Sequence, residues 1–139
     1  MIEMTYTDRL KEPLLLAKGQ YKYYPYYILS FGSHPTAYIE VPRGHPLWFK
    51  DYDIANNFII VHGGLTYSNN YLPGQNTGEW TIGWDYAHAY DCYYSSLFSE
   101  VYGKQYKTRE IFTDVKSVIN QLIELKQVVE ITNTRILEE

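Results

Sequence analysis

The side chains of this chain that could do chemistry fall into three groups. The first lies in a loop and comprises His45, Trp48, Lys50, Asp51 and Asp53. Lys50 beside two carboxylates can bind an anion, while the aspartates orient it or hold a hard cation such as Mg²⁺ or Ca²⁺. Trp48 can stack on a base or a sugar. The second group is His62-Gly63-Gly64-Leu65-Thr66, which follows an apolar run. Paired glycines let the backbone approach a ligand and can turn consecutive amides inward, a geometry that binds anions. In the third, Asp85, His88 and Asp91 stand three residues apart and share one face if the segment is helical. An imidazole between two carboxylates can ligate a metal or do acid and base work, because it titrates near neutrality and a carboxylate can fix its tautomer.

Each group also has a purely structural explanation. The first can be a solvated loop with a helix cap at Asp53, the second a tight turn with a hydrogen-bonded histidine, the third a hydrogen-bond network. The third spacing matches no specific metal motif. Cys92 lacks the surroundings of a cysteine hydrolase and reads as a buried bystander thiol. Trp80 and Trp84 lie on an apolar run and read as core, which leaves Trp48 as the better stacking residue.

Positioning these groups requires a sheet. Residues 25 to 42 read as a β-hairpin turning at Gly32-Ser33-His34-Pro35, and Phe58 to His62 and Glu79 to Asp85 as further strands, the last central because it is almost continuously apolar. Ser68 to Gly78 reads as a long turn. A short helix is predicted over Asp8 to Lys18, with Asp8 as N-cap and Gly19 as its stop. From Thr108 as N-cap, Ile111, Val115, Val118, Ile119 and Leu122 follow a 3.6-residue period to about Leu125. Val128 to Ile136 fits either a strand or a helical tail, and Tyr86 to Gly103 reads as loop. The expected fold is α+β: a mainly antiparallel sheet of four to five strands packed against one long C-terminal amphipathic helix. The loops at His45 to Asp53, His62 to Thr66 and Asp85 to Asp91 are expected to converge at one sheet end.

The 139 residues suit a single domain, 1–139. A net charge of −4 opposes non-specific binding to a nucleic-acid backbone. The single cysteine excludes an internal disulfide and fits a reducing cytoplasm. No leader-like segment and no stretch long enough to cross a membrane is found, so an intracellular, cytoplasmic protein is expected. The 16 tyrosines supply amphipathic rings suited to interfaces.

Glu40-Val41-Pro42, Gly44-His45-Pro46-Leu47, Lys50-Asp51-Tyr52-Asp53, Val61-His62-Gly63-Gly64-Leu65-Thr66-Tyr67 and Ile82-Gly83-Trp84-Asp85 with Ala87-His88 and Asp91 occur in that order. Together they resemble an uncharacterised family of small phage and bacterial proteins over residues 36 to 125. The resemblance implies a phage or mobile-element setting and supplies no reaction. Its members often carry Trp at position 81, Phe at 84, Cys at 86 and Gly at 90, where this chain has Thr81, Trp84, Tyr86 and Tyr90. The Tyr at 86 removes any role for a thiol there.

The leading functional expectation is a phage-type, non-enzymatic binding protein that captures a small polar ligand, with a nucleotide-like signalling molecule as first candidate, to counter host defence. Its ligand-binding residues would be His45, Trp48, Lys50, Asp51, Asp53, His62, Gly63, Gly64, Thr66, Asp85, His88 and Asp91, with no cofactor and no metal. Two alternatives stand beside it. One is a metal-assisted hydrolase using His62, Asp85, His88 and Asp91. The other is an inhibitor that docks on a host protein through its tyrosine-rich surface. Self-association into a homo-oligomer is compatible with each.

Overall fold

The computed structural model describes residues 1–75, 77–87, 93–95, 100–102 and 104–138. Five strands, β1 (Leu14–Tyr21), β2 (Tyr24–Ser30), β3 (Pro35–Glu40), β4 (Tyr67–Asn69) and β5 (Thr81–Asp85), form one antiparallel sheet in the order β1-β2-β3-β5-β4. A one-turn helix α1 (Tyr52–Ala55) precedes β4. A separate ribbon pairs β6 (Tyr93–Ser95) with β7 (Glu100–Tyr102), within the segment read from sequence as loop. The chain then enters α2 (Thr108–Glu138). The α+β expectation of an antiparallel sheet with a long C-terminal helix is met.

Strand alternation sorts the core into two layers. Ile28, Ala37, Ile39, Ile82 and Trp84 join Ile111, Val115, Val118, Ile119 and Leu122 of α2 in the main cluster. Each such buried aliphatic contributes about 1.5–3 kcal/mol relative to an exposed one. On the opposite face Leu29, Tyr38 and Leu72 make a smaller cluster, with Tyr27 and Tyr67 at its margin. The expected hairpin is β2–β3, closed through Phe31 N–H donating to His34 O at 3.0 Å. β5 lies between β3 and β4, as its apolar run predicts.

Four local expectations are corrected. The helix expected over Asp8 to Lys18 is not formed: residues 14 to 21 are strand, because the chain from Leu14 meets β2 as a partner through a register running from Leu14↔Ser30 to Tyr21↔Tyr24. Phe58 to His62 is not a strand. Phe58 and Ile59 N–H both donate back to Ala55 O at the end of α1. Gln121 of α2 then satisfies Ile60 on both sides, its Oε1 accepting the Ile60 N–H and its Nε2 donating to Ile60 O, each at 2.8 Å. A side chain thus takes the place of a neighbouring strand, and Ile60 itself is left 83% exposed. The third correction adds β4 at the start of what reads as a long turn from Ser68.

The fourth concerns the start of α2. Thr108 is inside the helix, and its hydroxyl donates to Ile2 O at 2.6 Å, tying down the N-terminal segment. The first turn is closed instead by Glu110, whose carboxylate accepts the Lys107 N–H at 3.2 Å, half of a capping box. Residues 128 to 136 are helical, which resolves the strand-or-helix alternative. With 31 residues α2 is about 46 Å long at 1.5 Å per residue. Its buried positions end at Leu122, and Val128, Ile131, Ile136 and Leu137 are exposed.

Candidate functional site

The three groups singled out in the sequence do not meet at one place. Trp80 at the start of β5 donates its indole N–H to Lys50 O at 3.1 Å, which fixes the His45–Asp53 loop at that end of the strand. Thr66 donates its hydroxyl to Asp85 Oδ2 at 3.1 Å at the other end. Five residue steps of strand separate the two, about 17 Å. Convergence of all three loops is therefore corrected in part: the second group and Asp85 come together, and the first group is divided, its Lys50 end at the Trp80 end of β5 and its Asp51–Asp53 end beside the second group, where Tyr52 N–H donates to Ser68 Oγ at 3.0 Å and Asn56 bonds Leu65. His88 and Asp91 lie outside the described residues.

The first group is structural where it is buried. His45 is 4% exposed, and the Leu47 N–H donates to its Nδ1 at 3.0 Å. That bond makes Nδ1 the acceptor, so Nε2 carries the proton and donates to Leu122 O of α2 at 2.7 Å. Burial holds its pKa below the usual histidine value, with Lys126 adding to the effect, although the bond to Leu122 opposes it. A neutral imidazole thus pins the loop to the helix. Trp48 is half-buried against Phe49, with the Arg43 guanidinium 5.8 Å from its ring centroid. Lys50, Asp51 and Asp53 are exposed; Asp51 occupies the N-cap of α1 without a side-chain bond, and Asp53 accepts the Ile54 N–H at 2.9 Å.

The second group is a tight turn. Gly63 and Gly64 have φ of 70° and 80°, the left-handed region open to glycine, and Gly64 N–H donates to Val61 O at 2.9 Å. Asn56 braces it from outside, donating to Leu65 O and accepting the Leu65 N–H. The turn presents His62, whose ring stacks on Tyr86 with centroids 4.8 Å apart. Tyr106 leans on both, at 5.0 and 4.8 Å. Beneath them Trp84 Nε1 donates to the Tyr86 hydroxyl at 3.1 Å, and that hydroxyl donates to Asp114 Oδ2 of α2 at 2.5 Å. Tyr86 is fully buried, and burial first, then Asp114, pushes its pKa far up. A cavity of about 320 Å³ opens here on the helix side, lined by His62, Tyr106 and Asp114 together with Lys104, Glu110 and Thr113. Lys104 and Glu110 are ion-paired at 3.1 Å.

The pleat of β5 turns Asp85 the other way, to the open face of the sheet. There a cavity of about 210 Å³ is lined by Arg9, Phe31, His34, Thr36, Tyr38, Thr66, Tyr67, Trp84 and Asp85. Its floor depends on Gly83, which pairs with Tyr38 on one side and Tyr67 on the other. A Cβ at Gly83 would fall 2.4 Å from Tyr38 Cδ1, so the missing side chain is what admits the ring. Tyr38 and Tyr67 meet edge to face at 5.1 Å. Burial pushes the Tyr38 pKa up to about 12, so it is a neutral phenol and a donor at pH 7. The adjacent Thr36 hydroxyl works against that rise, yet it is buried and has no hydrogen bond of normal geometry among the described residues. Asp85 Oδ1 accepts the Ala87 N–H at 3.1 Å.

Arg9 reaches this cavity because the N-terminal segment is laced onto the β2–β3 turn. Thr7 N–H donates to Gly32 O and Leu10 N–H to Phe31 O. Gly32, at φ 84°, leaves no room for a Cβ, which would lie 2.2 Å from Asp8 O. The Arg9 guanidinium sits 5.0 Å from the Phe31 ring centroid, and His34 stacks on the same ring at 5.8 Å.

The sequence reading named Asp85 and Thr66 but missed Arg9, His34, Thr36, Tyr38 and Tyr67, along with Tyr106 and Asp114 on the helix side. The alternation Thr36-Ala37-Tyr38 was the available signal: it sends Thr36 and Tyr38 to the face opposite Ala37. Arg9 had no such signal. Among the described residues no group of three or more His, Cys, Asp and Glu is placed to hold a metal ion, and no helix is long and apolar enough to cross a membrane. The class that fold and site define is an α+β protein with two polar cavities flanking the end of β5. Comparison with family models, curated proteins and solved structures finds no match for this chain.

Proposed function

We propose that this is a non-enzymatic binding protein that captures a small polar ligand in the open-face cavity at the end of β5. The observation that carries the reading is the buried Thr36 hydroxyl, which has no hydrogen bond of normal geometry among the described residues, in a cavity that also holds Arg9, His34 and Asp85. A buried, unpaired hydroxyl costs about 1–3 kcal/mol, a cost that a bound polar group removes. Aromatic walls with a few convergent polar groups are the usual make-up of a small-molecule site.

In a phage setting, the one the resemblance implies, such capture would withdraw a host signalling molecule and so counter a defence. A nucleotide-like signal would place only part of itself in about 210 Å³. Isothermal calorimetry against cyclic and linear nucleotides and small polar acids tests the reading. Binding that Arg9→Gln weakens supports it; no binding anywhere in the panel overturns it.

A second reading has its own observation. Phe49, Tyr52, Ile54 and Phe58 are 58%, 43%, 45% and 54% exposed along one short stretch. Exposed aromatic and aliphatic side chains so close in sequence suit docking on a host protein. Under this reading a partner is lost on Phe49→Ser and Tyr52→Ser and retained in Arg9→Gln; under the first, ligand affinity shows the reverse pattern.

A further inference from the structure

We propose that the C-terminal half of α2 is an interaction surface for a second copy of this chain, the two helices pairing antiparallel across a two-fold axis. The pairing is independent of what the cavities bind.

The last buried position of α2 is Leu122, and the helix runs on to Glu138, roughly 24 Å further at 1.5 Å per residue. Little in that stretch favours a helix standing alone. Val128, Val129, Ile131, Thr132, Thr134 and Ile136 are β-branched and lose side-chain freedom in a helix. A lone helix of this length is marginal in water, and packing of an apolar face is what normally stabilises it. Here that face is uncovered: Val128 and Ile131 are each 55% exposed and Ile136 is 64% exposed.

The apolar positions form a seam. Val115, Val118, Leu122, Leu125, Val129, Thr132 and Ile136 follow one another by alternating steps of three and four residues, which keeps them on one stripe. The first three lie in the main core, and Leu125 is half-buried against it. Val129, Thr132 and Ile136 carry the same stripe beyond the sheet. Ile60, 83% exposed and bonded on both sides to Gln121, adds apolar surface one turn before Leu125.

Charge selects a second copy and sets its direction. Lys126 and Glu130 pair with each other at 3.9 Å on one flank of the stripe. On the other flank stand Glu124 and Arg135, both exposed and neither in an ion pair among the described residues. They are eleven residues apart, the same interval as Leu125 to Ile136. An antiparallel partner that sets its Ile136 on Leu125 and its Thr132 on Val129 therefore brings its Arg135 beside Glu124. The two-fold axis makes that pair twice. A parallel partner would leave the two charges roughly 16 Å apart along the axis. Such exposed pairs fix direction and register more than they add affinity.

The test is sedimentation velocity on the full chain from about 1 to about 100 μM, the range in which an interface at the small end of the stable class dissociates. The mass of two chains is expected at the top of the range and of one chain at the bottom. Val129→Glu with Ile136→Glu is expected to give one chain throughout, and an unchanged near-ultraviolet spectrum establishes that the sheet and its core remain folded. Glu124→Arg and Arg135→Glu, both on the solvent side, are each expected to weaken the dimer about fivefold, and the two together to restore it. A dimer that survives both glutamates, or charge variants that fail to weaken singly and restore together, overturns the antiparallel seam. A single chain at every concentration excludes a second copy as the occupant and leaves this face to a different protein.

Discussion

The two ends of β5 carry similar residues and use them differently. At the Trp80 end, His45 is buried with both ring nitrogens bonded to backbone, and its loop is built from successive turns whose N–H groups reach Pro42, His45 and Leu47 carbonyls. At the Asp85 end, polar side chains face two cavities, and the buried Thr36 hydroxyl has no bond of normal geometry among the described residues. A histidine in a polar loop is thus no guide to function until its bonds are counted. The first end holds the fold together; the second has polar capacity left over for a ligand.

Substitutions should separate the two ends sharply. His45→Ala removes a buried ring and strands both the Leu47 N–H and the interaction with Leu122 O, so unfolding in urea is expected to show a loss of about 3 kcal/mol. Ligand affinity of the folded fraction should be unchanged. Gly83→Ala should cost about 2 kcal/mol, because its Cβ would lie 2.4 Å from Tyr38 and 2.8 Å from the Ala37 carbonyl. Here ligand binding should fall as well, since Tyr38 can relieve the overlap only by moving into the cavity. A variant that keeps both stability and binding would refute the account of the floor.

Tyr86→Phe should cost about 1–2 kcal/mol by leaving Trp84 Nε1 and Asp114 without the hydroxyl that joins them. A loss well under 0.5 kcal/mol would mean that the bond between sheet and helix is not a support. The smallest effect is the pH dependence at the closed end. Because burial depresses the His45 pKa from 6.5, the unfolded chain takes up the proton more readily. Its contribution is therefore intact above about pH 6.5 and declines as pH falls below that value toward the folded pKa, by at most about 1.4 kcal/mol per pH unit. Urea midpoints measured between pH 7.5 and 5.5 should show this slope in the parent chain and a shallower one in His45→Gln.

Much of the scaffold was legible because it obeys local rules. The period from Ile111 to Leu122 has one physical meaning, and the apolar run at Thr81–Asp85 could be buried on both faces only inside a sheet. The errors arise where a distant group supplies what a local rule assigns to a neighbour. Phe58 to Val61 has the composition of a strand, but Gln121, 61 residues away from Ile60, takes its hydrogen bonds. Leu14 to Lys18 sits in the region read as helix, but β2 offers it a ladder. The site divides in the same way. Thr66 and Asp85, named in the sequence reading, lie next to recognisable turns and line the open-face cavity. Arg9 arrives through backbone bonds to Phe31 and Gly32, which no spacing in the sequence encodes.

In folding, β1, β2 and β3 can close one after another through two short turns, each strand meeting the one before it. β5 joins β3 only after the whole of 41–80 has looped out, and β4 has no partner until β5 arrives. Closing that loop has an entropic cost that the hairpins avoid, and non-local pairings of this kind form slowly. The open-face cavity, floored at Gly83 between Tyr38 and Tyr67, is thus assembled late. As the chain leaves the ribosome, the cavity cannot exist before β5 has emerged and docked.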